Sequence, residues 1–151
     1  MSVENVELVR SVHPPSGTDL TLLFGGDPDG RGAFARIAPL LTDDFEVIGG
    51  DHFGDLGLGL FSESRGLEGL VSVWREWLSP WETYVTEVDD FLDAGEGRVV
   101  VLIRDRGRLR GSDSEVELVS ASVWTLRDAR IARIEFHTSR AQAFKAVGLE
   151  G

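Results

Sequence analysis

Between residues 82 and 137 the chain reads as four consecutive strands, about 82–93, 98–109, 115–127 and 130–137, each joined to the next by a short polar or glycine-containing turn. Just before them, Leu67, Leu70, Val71, Trp74, Trp77 and Leu78 recur at helical spacing across 66–78 and make a wide apolar stripe. Such a helix needs a sheet to cover it, and a meander that follows helices is the α+β pattern. At 151 residues one domain is expected, 1–151, with room for a core and an internal pocket.

The remaining segments are shorter. Val3, Val6 and Val9 suggest a helix over 3–12 that Pro14 and Pro15 stop, with a loop following to Gly32. Phe34, Ile37, Ala38 and Leu41 share a helical face over 32–41, although Pro39 should end or kink that helix early. A short strand, Phe45 to Ile48, leads into a glycine-rich loop over 49–66, and a last helix is expected at about 139–147. The loop matches neither a phosphate-cradling motif nor a dinucleotide fingerprint. Asp27-Pro28-Asp29-Gly30 resembles the start of a calcium loop, but the twelfth position would be Ala38 where a bidentate Glu is required, so a turn is the reading.

Charge and cysteine content exclude further classes. A net charge of −11 repels phosphate at long range and no basic run offsets it, so neither nucleic acid nor an anionic membrane is an expected partner. With no Cys, thiolate metal sites, cysteine nucleophiles and disulfides are ruled out by arithmetic. Three scattered histidines without metal-ligand spacing argue against a metal, and no cofactor motif is present. No stretch is long and apolar enough for a signal peptide or a membrane span, so a cytoplasmic protein is expected.

Turn lengths give the register. A four-residue turn at 94–97 would pair Asp93 with Arg98 and Glu87 with Arg104, and one at 111–114 would pair Arg110 with Glu115 and Arg108 with Glu117. One face, the outer one, then carries Arg104, Arg106, Arg108 and Arg110 with their acidic partners, beside Val100, Leu102, Val119, Ala121 and Val123. The other carries Tyr84, Thr86, Val88, Val101, Ile103, Asp105, Leu118, Ser120, Ser122 and Trp124. For the last hairpin, a two-residue turn at Asp128-Ala129 would bring Arg133, Glu135 and His137 inward. A three-residue loop would bring in Ala132, Ile134 and Phe136, and the apolar pattern favours it, even though Ala129 is an awkward left-handed residue. Residues 99–103 are apolar on both faces, which leads to the expectation of a homodimer through the sheet.

Ser2 to Arg10, Arg65-Gly66-Leu67-Glu68-Gly69 with Trp74-Arg75-Glu76-Trp77, Asp93-Ala94-Gly95, Val123 to Asp128, and Ala146-Val147-Gly148-Leu149 together resemble the actinobacterial SnoaL-like family of the nuclear transport factor 2-like superfamily. The resemblance covers about 1–10 and 64–150. It implies an α+β cone, a curved antiparallel sheet packed on N-terminal helices around a deep apolar pocket, commonly dimeric through the sheet. Members include cofactor-independent isomerases, cyclases and hydrolases as well as silent binding modules, so the fold alone does not give the activity. The chain departs from the pattern at Pro14-Pro15, in the glycine-rich insertion, and at Ala129 where Gly is usual. The acid/base positions of the polyketide cyclases align roughly with Ser122 and Phe136, neither of which can transfer that proton.

The candidate site residues follow. Asp105, on the aromatic face beside Thr86 and Ser120, is the leading general base, since desolvation would raise its pKa toward a useful range. A one-residue slip would instead bring Arg104 inward as an anion anchor. Asp51 and His52 in the glycine-rich loop form a possible proton shuttle at the opening. Trp74, Trp77, Tyr84, Ile103, Ser120, Ser122, Trp124, Ile134 and Phe136 are expected to line the ligand pocket. His13 reads as the end of the first helix and His137 as a strand-end surface residue. With excess acid concentrated in 43–55 and 87–96, the expected ligand is an apolar, neutral or cationic small molecule. Two functions remain open: an acid–base enzyme, or a non-catalytic ligand-binding or assembly module.

Overall fold

The computed structural model describes residues 3–13, 16–25, 34, 37–49, 63–137 and 139–148. Helix α1 (Val3–Val12) has Glu4 in its first turn and Arg10 in its last, each complementing the helix dipole, and it sinks Val9 completely into the core. Strand β1 (Thr18–Asp19) and helix α2 (Leu20–Gly25) occupy part of the stretch expected to be loop. Asp19 explains both: its Oδ1 accepts from the Thr21 amide at 3.0 Å and the Thr21 hydroxyl at 2.6 Å, starting α2, and from the Tyr84 amide at 3.2 Å, tying that start to the sheet. Around Pro39 the described backbone is a single 3₁₀ turn, Ala38–Leu40, rather than a helix. Strand β2 (Leu41–Gly49) is longer than expected, and a short β3 (Glu63–Arg65) precedes helix α3 (Gly66–Leu78).

Strands β4 (Trp81–Gly95), β5 (Arg98–Leu109), β6 (Glu115–Arg127) and β7 (Arg130–His137) form the expected meander, and helix α4 (Arg140–Ala146) closes the chain. The sheet has seven strands in the order β1-β4-β5-β6-β7-β2-β3, antiparallel throughout except that β2 runs parallel to β7. On its inner face α3 buries Leu70, Val73 and Leu78 in one cluster with Val9, Phe45, Tyr84, Val101, Trp124 and Ile134. Each such side chain contributes about 1.5–3 kcal/mol of burial. No described helix is long and apolar enough to cross a membrane.

The turns correct the register. Glu96-Gly97 is a two-residue turn with both residues at positive φ, so Gly95, not Asp93, faces Arg98. Irregularities between Asp93 and Gly95 and between Val88 and Asp90 then restore the expected pairing of Glu87 with Arg104. The second of these leaves Asp89 out of the ladder, and its Oδ2 accepts from Arg104 at 3.3 Å and Arg140 at 2.6 Å. The β5–β6 pairing is displaced by two residues, Arg108 facing Glu115 and Arg106 facing Glu117. An even displacement keeps every side chain on its face, so the division into two faces holds.

In the last hairpin the turn is the two-residue one, with Asp128 at φ 53° and Ala129 at φ 63°. A bulge between Thr125 and Leu126 skips Ala132, so that Ile131 opposes Leu126 while Ile134 opposes Trp124 and Phe136 opposes Ser122. Ile131 and Ile134 are therefore buried, and Ala132 is the residue spent on the bulge.

The outer face has its own cover. Ser139 accepts from the Gln142 amide at 3.4 Å and starts α4, whose Ala143, together with Val147 just past its end, packs against Val100, Ala121 and Val123. The doubly apolar stretch of β5, from which a homodimer was expected, is thus covered in its middle by the chain's own last helix.

Candidate functional site

Asp105 sits where the face assignment placed it, on the inner side of β5 and 5% exposed. Thr86 is its register partner on β4 and Leu118, not the expected Ser120, its partner on β6, a consequence of the two-residue displacement. Tyr84 donates its hydroxyl to Asp105 Oδ2 at 2.6 Å, in a buried contact. The other oxygen, Oδ1, is buried with no hydrogen-bond partner. Burial pushes the carboxyl up to about 6, against the hydroxyls of Thr86 and Tyr84, which favour the charged form.

The aromatic ring that presents this hydroxyl is itself wedged. Trp81 packs edge-on to Tyr84 with centroids 5.1 Å apart, and the pair lies over Gly107, the register partner of Tyr84. A Cβ at Gly107 would come within 2.5 Å of Trp81 Cε3 and 3.0 Å of Tyr84 Cδ2. The missing side chain at 107 is the space that lets the phenol lie toward Asp105.

The remaining pocket candidates divide clearly. Ile103, Ser120 and Phe136 are half-buried on the inner face, and Trp74 meets Phe136 edge-on at 5.5 Å. Tyr84, Ser122, Trp124 and Ile134 are buried there, with Trp124 Nε1 donating to Ser122 Oγ at 2.9 Å. Ser122 and Phe136, the two positions singled out by the resemblance, are register partners across β6 and β7. The Trp77 side chain, Asp51 and His52 lie outside the described residues.

Arg104 is not part of this constellation. It projects from the outer face, bonded to Asp89 and to Glu117 at 3.5 Å, because adjacent residues of one strand point to opposite sides. Arg106 and Arg108 pair there with Glu87 at 3.4 Å and Glu82 at 2.9 Å. His137 is corrected as well: it is 9% exposed rather than a surface residue, with its Nε2 3.8 Å from Glu135. No group of His, Asp and Glu among the described residues could hold a metal ion.

His13 ends α1 as expected, but its place on the inner face was not foreseen. His13, at the end of α1, lies between Phe91 and Trp124, with ring centroids 5.3 Å and 4.9 Å away. Its Nδ1 is 2.7 Å from the Val9 carbonyl, so Nδ1 carries the hydrogen and donates. Burial lowers its pKa, with the Val9 bond acting the other way, which leaves a neutral imidazole near pH 7. No sequence signal pointed to this placement, which is made by β4 and β6 meeting the end of α1.

A curved sheet backed by helices is the fold shared with NTF2-like proteins. The SnoaL-like domain model matches residues 30–134, and the chain belongs to that family. Solved structures over nearly the whole chain agree on the fold. An NTF2-like protein of unknown function from Burkholderia pseudomallei is 20% identical, with a TM-score of 0.66 over 97% of this chain and 98% of that one. TerC, co-crystallized with polyporic acid, is 16% identical with a TM-score of 0.64 over 96% and 98%. A putative SnoaL-like polyketide cyclase from Jannaschia is 17% identical with a TM-score of 0.62 over 98% and 94%. Comparison with curated proteins finds no match.

Proposed function

We propose that the chain is a cofactor-independent acid–base enzyme acting on an apolar, carbonyl-containing small molecule, with Asp105 as the general base. The observation that carries this reading is the asymmetric environment of one carboxylate: Oδ2 accepts from Tyr84 and the Thr86 hydroxyl favours the charged form, while Oδ1 is buried with no hydrogen-bond partner. A carboxylate whose pKa lies near 6 is mostly ionised at pH 7 and is a stronger base than an exposed one. It would take a proton from the carbon next to the carbonyl, breaking that C–H bond as Oδ1–H forms and leaving the electron pair on the enolate oxygen. Return of the proton to another carbon gives an isomer. With the described arginines of β5 turned outward into ion pairs and an acidic chain overall, a neutral or cationic ligand fits better than an anionic one.

The test is deuterium exchange into 2-tetralone, a neutral apolar ketone with acidic α-hydrogens, followed by NMR in D₂O. Wild type should accelerate exchange, and Asp105→Asn should lose about 10²–10⁴-fold of that acceleration. Ligand binding without acceleration by wild type would instead make the chain a non-catalytic binding module.

A further inference from the structure

The geometry points to a second polar anchor in the ligand site, His13 Nε2, which accepts a hydrogen bond from a hydroxyl or N–H at the far end of an elongated ligand whose carbonyl end lies at Asp105. This rests on the ligand-binding part of the function proposed above and specifies the ligand's shape and polarity.

Three observations carry it. His13 donates from Nδ1 to Val9, so Nε2 holds the lone pair and can only accept; among the described residues it has no partner. The ring is fixed in place by Phe91 on one side and Trp124 on the other, and Trp124 is in turn held by its bond to Ser122. Between His13 and Asp105 the inner face consists of Val88, Ile103 and Ser120, all half-buried, whereas the neighbouring Val99 and Val101 are fully buried. Two unpartnered polar atoms thus terminate a strip of incompletely covered, mostly apolar surface.

The register gives its length. Phe91, against which His13 packs, pairs with Val101, four residues from Asp105 along β5, which is about 13 Å at the rise of a strand. A ligand spanning both anchors is a rod of two or more rings with a carbonyl at one end and a donor at the other.

The pair 4-acetyl-4′-hydroxybiphenyl and 4-acetylbiphenyl has that form and differs only in the donor. Tryptophan fluorescence titration of the wild type should show roughly tenfold tighter binding of the phenol, the worth of one good hydrogen bond in a dry site. His13→Asn keeps a donor for Val9 but has nothing at the Nε2 position, and should erase the preference while far-ultraviolet circular dichroism shows that the fold is kept. His13→Gln places an acceptor near Nε2 and should recover part of it. A preference that is absent in wild type, that survives in His13→Asn, or that cannot arise because neither biphenyl ketone binds, overturns the anchor. Measuring the preference again in Asp105→Asn separates the two ideas: it should persist there even if 2-tetralone exchange is never observed. ¹⁵N NMR gives a check without ligand, since an Nε2–H tautomer of His13 in the free protein would also overturn it.

Discussion

Tyr84 and Asp105 lie diagonally across β4 and β5, and the phenolic hydroxyl donates to the carboxylate at 2.6 Å inside the protein. Removing the donor while keeping the ring isolates what that bond does. Tyr84→Phe should raise the Asp105 pKa above its value of about 6, read from the carboxyl ¹³C shift against pH. It should also cost about 1–3 kcal/mol at pH 7, because a buried charge loses a partner. An unchanged titration midpoint would show that the hydroxyl does not bear on the carboxylate.

The same carboxyl makes stability depend on pH. Its pKa rises from 3.8 unfolded to about 6 folded, so between these values the folded state holds more protons and stability falls as pH increases. Below pH 3.8 the group contributes no penalty, and above 6 the penalty is complete, of order 2–3 kcal/mol. Asp105→Asn should therefore be more stable than wild type at pH 8 by about that amount, and the two should converge near pH 4. Denaturant unfolding at the two pH values measures it, and a constant difference across the range would refute it.

Gly107→Ala places a methyl group into the Trp81 ring. The expected loss is about 1–3 kcal/mol from overpacking, with altered near-ultraviolet circular dichroism as Trp81 and Tyr84 shift. Loss of 2-tetralone exchange should accompany it, since Tyr84 would no longer hold Asp105.

Ala129→Gly should stabilise the chain by about 1 kcal/mol. Ala129 is held at φ 63°, where an L side chain clashes with its own backbone and Gly does not. An unchanged or lower midpoint in thermal unfolding would show that the turn is not strained.

The sequence made the face of Asp105 legible because alternation is robust to the errors that turn assignment makes. Placing β5 against β6 two residues off left every side chain on its correct side, and the bulge at Asp89 returned Glu87 to Arg104. Turn type was harder, since Glu96 and Ala129 adopt left-handed conformations that their residue types do not advertise. The α2 segment was missed because Asp19 draws on the Tyr84 amide, 65 residues away, as well as on its neighbour Thr21. His13 was read correctly as the end of α1, but not its packing, for a related reason: its environment is made by Phe91 and Trp124, which only the assembled sheet brings there.

The parallel pairing of β2 with β7 has a consequence for how the chain folds. Val47 meets Ile134 across a separation that takes in the whole meander, so β2 leaves the ribosome long before its partner strand exists. During that interval an apolar segment has one antiparallel neighbour, β3, and an open edge. Closure of the sheet must wait until β7 has been made, which places the slow, topologically demanding step after synthesis of the whole meander and makes β2 the segment most in need of protection until then.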